Sequence, residues 1–164
     1  MKSDRLVLLL REHYELQQWV SLLEVASGFD CRELEANAEL LFFVASAHRY
    51  LGQPELGLNA YQKALLLDPG SIGLRLEAAG ALQELEDWPA AQHLLDGVGG
   101  DQSRQSVLAE ILRLRNSIYL GDPESVEKQL LSTPISHESQ LVAMGIALAE
   151  VNLRLGRHDI SEHC

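Results

Sequence analysis

The segment Tyr50-Leu51-Gly52-Gln53-Pro54-Glu55 recurs along the chain, and no other feature constrains the fold as much. Its echoes are Glu84-Leu85-Glu86-Asp87-Trp88-Pro89, Tyr119-Leu120-Gly121-Asp122-Pro123-Glu124 and Arg154-Leu155-Gly156-Arg157-His158-Asp159. The marker leucines stand at 51, 85, 120 and 155, so the steps are 34, 35 and 35 residues. A fixed period of this length indicates helix–turn–helix units stacked in a row, each needing its neighbours to bury its apolar side.

Composition agrees with helix. Apolar residues make up 46% of the 164, mostly leucine and alanine, which favour helix over strand. The chain carries 24 acidic against 13 basic residues, a net charge of −11. Such a surface repels phosphate backbones, so nucleic acid is not an expected partner. Two cysteines, Cys31 and Cys164, make no disulfide framework, and a reducing, cytoplasmic setting is the simpler expectation. The apolar run Leu6 to Leu10 is closed at once by Arg11 and Glu12, so neither a signal peptide nor a membrane span is expected.

Apolar spacings of three and four residues predict helices almost throughout. Two short amino-terminal helices are expected to join near His13-Tyr14, before the break at Ser27-Gly28-Phe29-Asp30. Asp30 is placed to cap the next helix, with Glu33 three residues on. The clearest unit has helices at about 33–50 and 54–67, with Pro54 at a first helical turn and Asp68-Pro69-Gly70 as the stop. Further helices are predicted at 72–86, 88–97, 102–120, 123–132 and 138–155, with Asp122 capping and Pro123 opening the one at 123. Residues 1–164 then read as one domain: a degenerate pair at 1–30, units at 33–71 and 72–100, an irregular unit at 102–134 and an incomplete one at 138–164. Residues 159–164 read as the opening of another helix, so a longer protein is expected.

These residues resemble the tetratricopeptide repeat family. Its 34-residue pattern is carried here by Leu41, Val44, Ala45, Gly57, Tyr61, Ala64 and Pro69, with His48 replacing an aromatic. It continues in Ala78, Ala79, Leu82, Ala91, Leu95 and Val98, with Arg75 replacing an apolar residue. The unit near 107–134 fits through Val126 and Leu130, and through Ile111, Leu114 and Ile118 after a one-residue shift that sets Arg115 where a small residue belongs. Leu148 and Ala149 fit in the last half-unit. The resemblance implies an all-α fold, a right-handed superhelical array of antiparallel helix pairs, with small residues where helices approach closely.

The resemblance also implies a partner-binding groove on the first helices of the units. The corresponding positions are Glu39, Phe42, Ser46, Arg49 and Tyr50, then Gly73, Leu76, Gly80, Gln83 and Glu84, and finally Ala143, Ile146, Glu150 and Leu153. This mixed apolar and acidic lining suits a protein or peptide that is basic or amphipathic, with Phe42 and Tyr50 as anchors. One subclass of the family grips acidic carboxy-terminal tails of heat-shock chaperones through a Lys/Arg/Asn clamp. The clamp positions here hold Phe42, Ser46, Glu77 and Gly80, so that role is rejected.

No nucleophile elbow, phosphate loop or paired-histidine zinc motif occurs, and neither catalysis nor a cofactor is expected. His158, His163 and Cys164 match no zinc spacing. Gly97-Val98-Gly99-Gly100 reads as a helix stop, Trp88 as a packing plug at a turn, and Glu84, Glu86 and Asp87 as a solvated face. The leading expectation is a scaffold or adaptor segment of a larger, bacterial, cytoplasmic protein. One alternative is the amino-terminal partner- or substrate-presenting domain of a larger enzyme, as in glycosyltransferases, sulfotransferases and methyltransferases resembling this family. Another is a secretion chaperone of the same repeat type. Self-association is expected through a carboxy-terminal edge of Leu148, Val151 and Leu155.

Overall fold

A computed structural model of the chain describes residues 2–98, 104–132 and 138–156. Among these residues the structure is all-helical, with ten helices and no strand. They are α1 (Lys2–Glu15), α2 (Trp19–Ser27), α3 (Cys31–Glu35), α4 (Ala38–Tyr50), α5 (Pro54–Leu67), α6 (Ile72–Glu84), α7 (Trp88–Leu95), α8 (Arg104–Leu120), α9 (Pro123–Ser132) and α10 (Glu138–Arg154). No described helix is long and apolar enough to cross a membrane. The chain divides into two compact units, Met1–Asp87 and Trp88–Cys164.

The first unit holds α1 to α6. Its turns are built alike. Gln17, Gly52 and Glu86 all have left-handed backbones, with φ of 55°, 77° and 60°. The residue after each sends its N–H back to a carbonyl five positions earlier, at 2.9 Å: Gln18 to His13, Gln53 to His48, Asp87 to Leu82. This is the Schellman closure of a helix end, which satisfies carbonyls that the helix leaves over. Side chains reinforce two of the turns, His13 Nδ1 meeting Gln18 Oε1 at 2.9 Å and His48 Nδ1 meeting Gln53 Oε1 at 2.8 Å. The recurring segment is therefore a helix stop, and His48 serves the turn rather than filling a tyrosine's place in the core.

Two boundaries differ from expectation. The first helix continues through His13 and Tyr14 and stops only at Glu15. The helix expected at 33–50 is split, because the Asn37 side chain accepts the N–H groups of Glu39 and Leu40 and starts α4 afresh. Asp30 caps α3 by accepting from Arg32 N, as its position suggested.

The core of this unit follows from helical spacing. Leu6 and Leu10 of α1, Leu22 and Ala26 of α2, and Leu40, Phe43 and Ala47 of α4 form one buried cluster. On α5, Gly57, Tyr61 and Ala64 form the buried stripe. A Cβ at Gly57 would stand 2.8 Å from the Ala45 carbonyl oxygen, so glycine permits the α4–α5 approach. Tyr61 is fully buried, its hydroxyl 2.8 Å from Ser46 Oγ. Helix α6 is buried at Leu74, Leu76, Ala78, Ala79, Ala81 and Leu82 and carries Glu77 and Glu84 on its remaining side.

The second unit holds α7 to α10 and repeats the plan 69 residues on. The adjacencies α2–α4, α4–α5, α5–α6 and α4–α6 reappear as α7–α8, α8–α9, α9–α10 and α8–α10. Leu40, Phe43 and Ala47 correspond to Ala109, Leu112 and Asn116, all buried. Asn116 donates to the Trp88 carbonyl at 3.3 Å and to Gln92 Oε1 at 3.1 Å. Val126 stands where α5 has Gly57, and a cleft of about 230 Å³ opens beside it, lined by Leu114, Leu130 and Met144 and rimmed by Glu110 and Ser117. Asp122 caps α9 by accepting from Glu124 and Ser125, and Pro123 opens it. Gly97, at φ 74°, follows the end of α7.

The expected sticky edge needs correction. Val151 is fully buried against Ile118, Val126 and Leu130, and Leu148 and Leu155 pack on the same cluster. Among the described side chains of α10, the open apolar ones are instead Ile146 and Leu153, 46% and 64% exposed. Gly99, Gly100, His137, His158, His163 and Cys164 lie outside the described residues.

Candidate functional site

The site is built on the face shared by α1, α4 and α6 in the first unit. Glu39, in the first turn of α4, pairs with Arg11 of α1. One turn on, Phe42 is half-buried in an aromatic group: its ring lies 5.4 Å from Tyr14, 5.7 Å from Phe43 and 6.2 Å from Tyr61. Beside Phe42 a cleft of about 270 Å³ opens between the first turns of α4 and α6. Ala38, Phe42, Gly73 and Leu74 line its apolar part, and Glu39, Asp68 and Ser71 its polar part.

The far end of the face is charged. Arg49 Nη1 meets Glu77 Oε2 at 2.5 Å, and its Nε and Nη2 meet Glu84 Oε1 at 2.9 and 2.8 Å. Glu77, Gly80 and Glu84 lie on one side of α6 by helical spacing, and Gly80 leaves room for the guanidinium. A Cβ there would stand 2.5 Å from Arg49 Nη2. Burial pushes the Glu77 carboxyl above its ordinary value, and Arg49 lowers it only in part. Burial also works against the charge on Arg49, but the hydrogen bond to Glu84 and both carboxylates more than offset it, so its pKa lies above the usual arginine value. Two carboxylates share one cation, and each meets it through one oxygen.

Tyr50 ends α4 and is 53% exposed. Its ring stacks on Trp19, the first residue of α2, at 4.7 Å and 17°. In the second unit Tyr119 and Trp88 form the same stack at 3.9 Å and 5°, with Arg154 over the tyrosine ring at 4.7 Å. Trp88 is thus a plug at a helical turn, as its position suggested.

The structure therefore brings Glu39, Phe42, Arg49, Tyr50 and Glu84 onto one face. Ser46, Leu76 and Gln83 are buried and do not lie on an open surface. Ser46 is held by Tyr61, and Leu76 and Gln83 are on the buried part of α6. Ile146 and Glu150 lie in the second unit, where Glu150 Oε1 accepts from Arg115 Nε at 2.9 Å.

Comparison with protein-family models, curated proteins and solved structures returned no match.

Sequence reasoning missed Tyr14, Trp19, Asp68 and Arg11 as members of this face. Trp19 had a signal: it precedes Tyr50 by the same interval that separates Trp88 from Tyr119. Asp68 was read only as a helix stop, because nothing in the sequence brings the end of α5 beside the start of α4. A second, wider depression of about 640 Å³ lies between α1 and the turn before α3, lined by Arg5, Leu9, Phe29 and Glu33. Its Asp30 is already engaged in capping α3, and among the described residues none of its lining takes part in a ring stack or an ion pair.

Proposed function

We propose that the chain is a tetratricopeptide-like α-solenoid and works as a protein–protein interaction module, holding a peptide or helix of its partner on the α1–α4–α6 face. It performs no reaction of its own in this reading. The observation that carries it is the cleft beside Phe42, rimmed by Glu39 and Asp68, on a face that ends in an exposed Tyr50. Its volume, about 270 Å³, falls below the ~300–1,000 Å³ usual for small-molecule pockets. It suits one anchoring side chain of a larger partner. The far end of the face is set before binding, since Arg49 is fixed by two carboxylates and Tyr50 by Trp19. That reduces the ordering entropy a partner must overcome.

The test is selection from a random peptide display library on the whole chain. Peptides so obtained should lose about tenfold in affinity on a Phe42→Leu/Tyr50→Ala variant of unchanged helicity and melting. Selected peptides that ignore the double variant would place binding elsewhere and overturn the reading.

A further inference from the structure

We propose that the occupant of this cleft is a basic protein segment: an apolar side chain seated against Phe42 and Leu74, with lysine or arginine on either side of it. The inference rests on the groove reading above and names the partner's chemistry. Six charged side chains mark the face: Glu39, Asp68, Glu77 and Glu84 against Arg11 and Arg49. The face is thus left with an excess of two negative charges. The excess is not evenly spread. Asp68 is exposed at the rim of the cleft and makes no ion pair among the described residues. At the other end, Arg49 neutralises only one of its two carboxylates, and Glu84 is the more open of them, at 40% side-chain exposure against 18% for Glu77.

The spacing fixes the ligand further. Glu39 and Arg49 are ten residues apart on α4, about 15 Å along the axis. An extended segment covers that distance in about four or five residues, with its anchor in the cleft and a cation to either side. The cation at one end meets Asp68, and the cation at the other meets Glu84. An acidic segment would bring like charges together at both ends. A neutral one would leave both excess carboxylates without compensation.

The experiment uses the full chain and three labelled twelve-residue peptides with one central leucine, flanked on both sides by lysine, by glutamine or by glutamate, read by fluorescence anisotropy. The lysine peptide should bind about tenfold tighter than the glutamine peptide, and the glutamate peptide should not bind. Asp68→Asn should weaken the lysine peptide about threefold and leave the glutamine peptide unchanged. Glu55→Gln removes the same charge from the exposed first turn of α5 and should change neither. Equal losses on Asp68→Asn and Glu55→Gln would mean general attraction to an acidic chain and would overturn the proposal. Equal binding of lysine and glutamine peptides, with both sensitive to Phe42→Leu/Tyr50→Ala, would overturn the basic partner and keep the groove. Failure of all three peptides to bind would overturn both.

Discussion

Two glycines make the same demand on space and differ in what they face. At Gly57 an added methyl meets the backbone carbonyl of Ala45, which cannot move without separating α4 from α5. At Gly80 it meets the tip of the Arg49 side chain, which can swing away. Overpacking a core contact costs about 1–3 kcal/mol, whereas alanine gains about 1 kcal/mol over glycine inside a helix. Gly57→Ala should therefore lower stability in urea titrations. Gly80→Ala should stay within about 1 kcal/mol of the wild type, the helix gain offsetting the lost ion cluster. Equal losses at the two sites would contradict this account. Glu77 sets a pH dependence. Its folded pKa is raised above the ordinary 4.5, so the folded state holds its proton more tightly. The associated stability is full below the unfolded value and is lost as pH rises through the folded one. The stability of wild type relative to Glu77→Gln should fall as pH is taken upward from 4.5, and a flat or rising difference would refute the assignment. Alanine, glycine and tyrosine positions such as Ala45, Gly57, Tyr61 and Ala64 were legible in the sequence because a helix pattern encodes its own buried stripe. The Arg49 cluster was not, since Glu77 and Glu84 come to it from 28 and 35 residues away, and no local pattern specifies that meeting.

At the scale of elements, the turns carry the regularity and the helix faces carry the variation. The Schellman closures recur with the same bond length even where glutamine or glutamate must take a left-handed backbone. The α8–α9 pair shows what happens when a face changes. Val126 in place of glycine, with Leu114 opposite, leaves a cleft where α4 and α5 are in close contact. This is the physical content of the irregular unit seen in the sequence, and Arg115, out of place in a core, turns to Glu150 instead. The aromatic stacks tie the first residue of one helix to the last turn of another. A double-mutant cycle on Trp88 and Tyr119 should return a coupling of about 0.5–1.5 kcal/mol, and the cycle on Trp19 and Tyr50 a smaller one, in keeping with its wider separation. Vanishing coupling in both would show that the rings touch without contributing. Helix ends were legible where proline or a capping side chain marks them, as at Pro54 and Pro123. The split at Asn37 was not foreseen, because the apolar pattern runs on through it.

At the scale of the molecule, the repeating step visible in the sequence is paired in the structure: α2, α4, α5 and α6, their adjacencies and the ring stack return 69 residues on as α7 to α10. The all-helical class was legible in full. Division into two compact units was not, since no glycine- or serine-rich linker marks the boundary at Asp87 and Trp88. The two tryptophans of the chain fall one to each unit, both pressed against a tyrosine. Each unit thus contains a single tryptophan, at the start of a helix, where loss of the stack changes both quenching and exposure to water. Replacing either tryptophan by phenylalanine leaves a chain whose selectively excited tryptophan emission reports on one unit alone, so the two variants together give the order in which the units unfold, without a label.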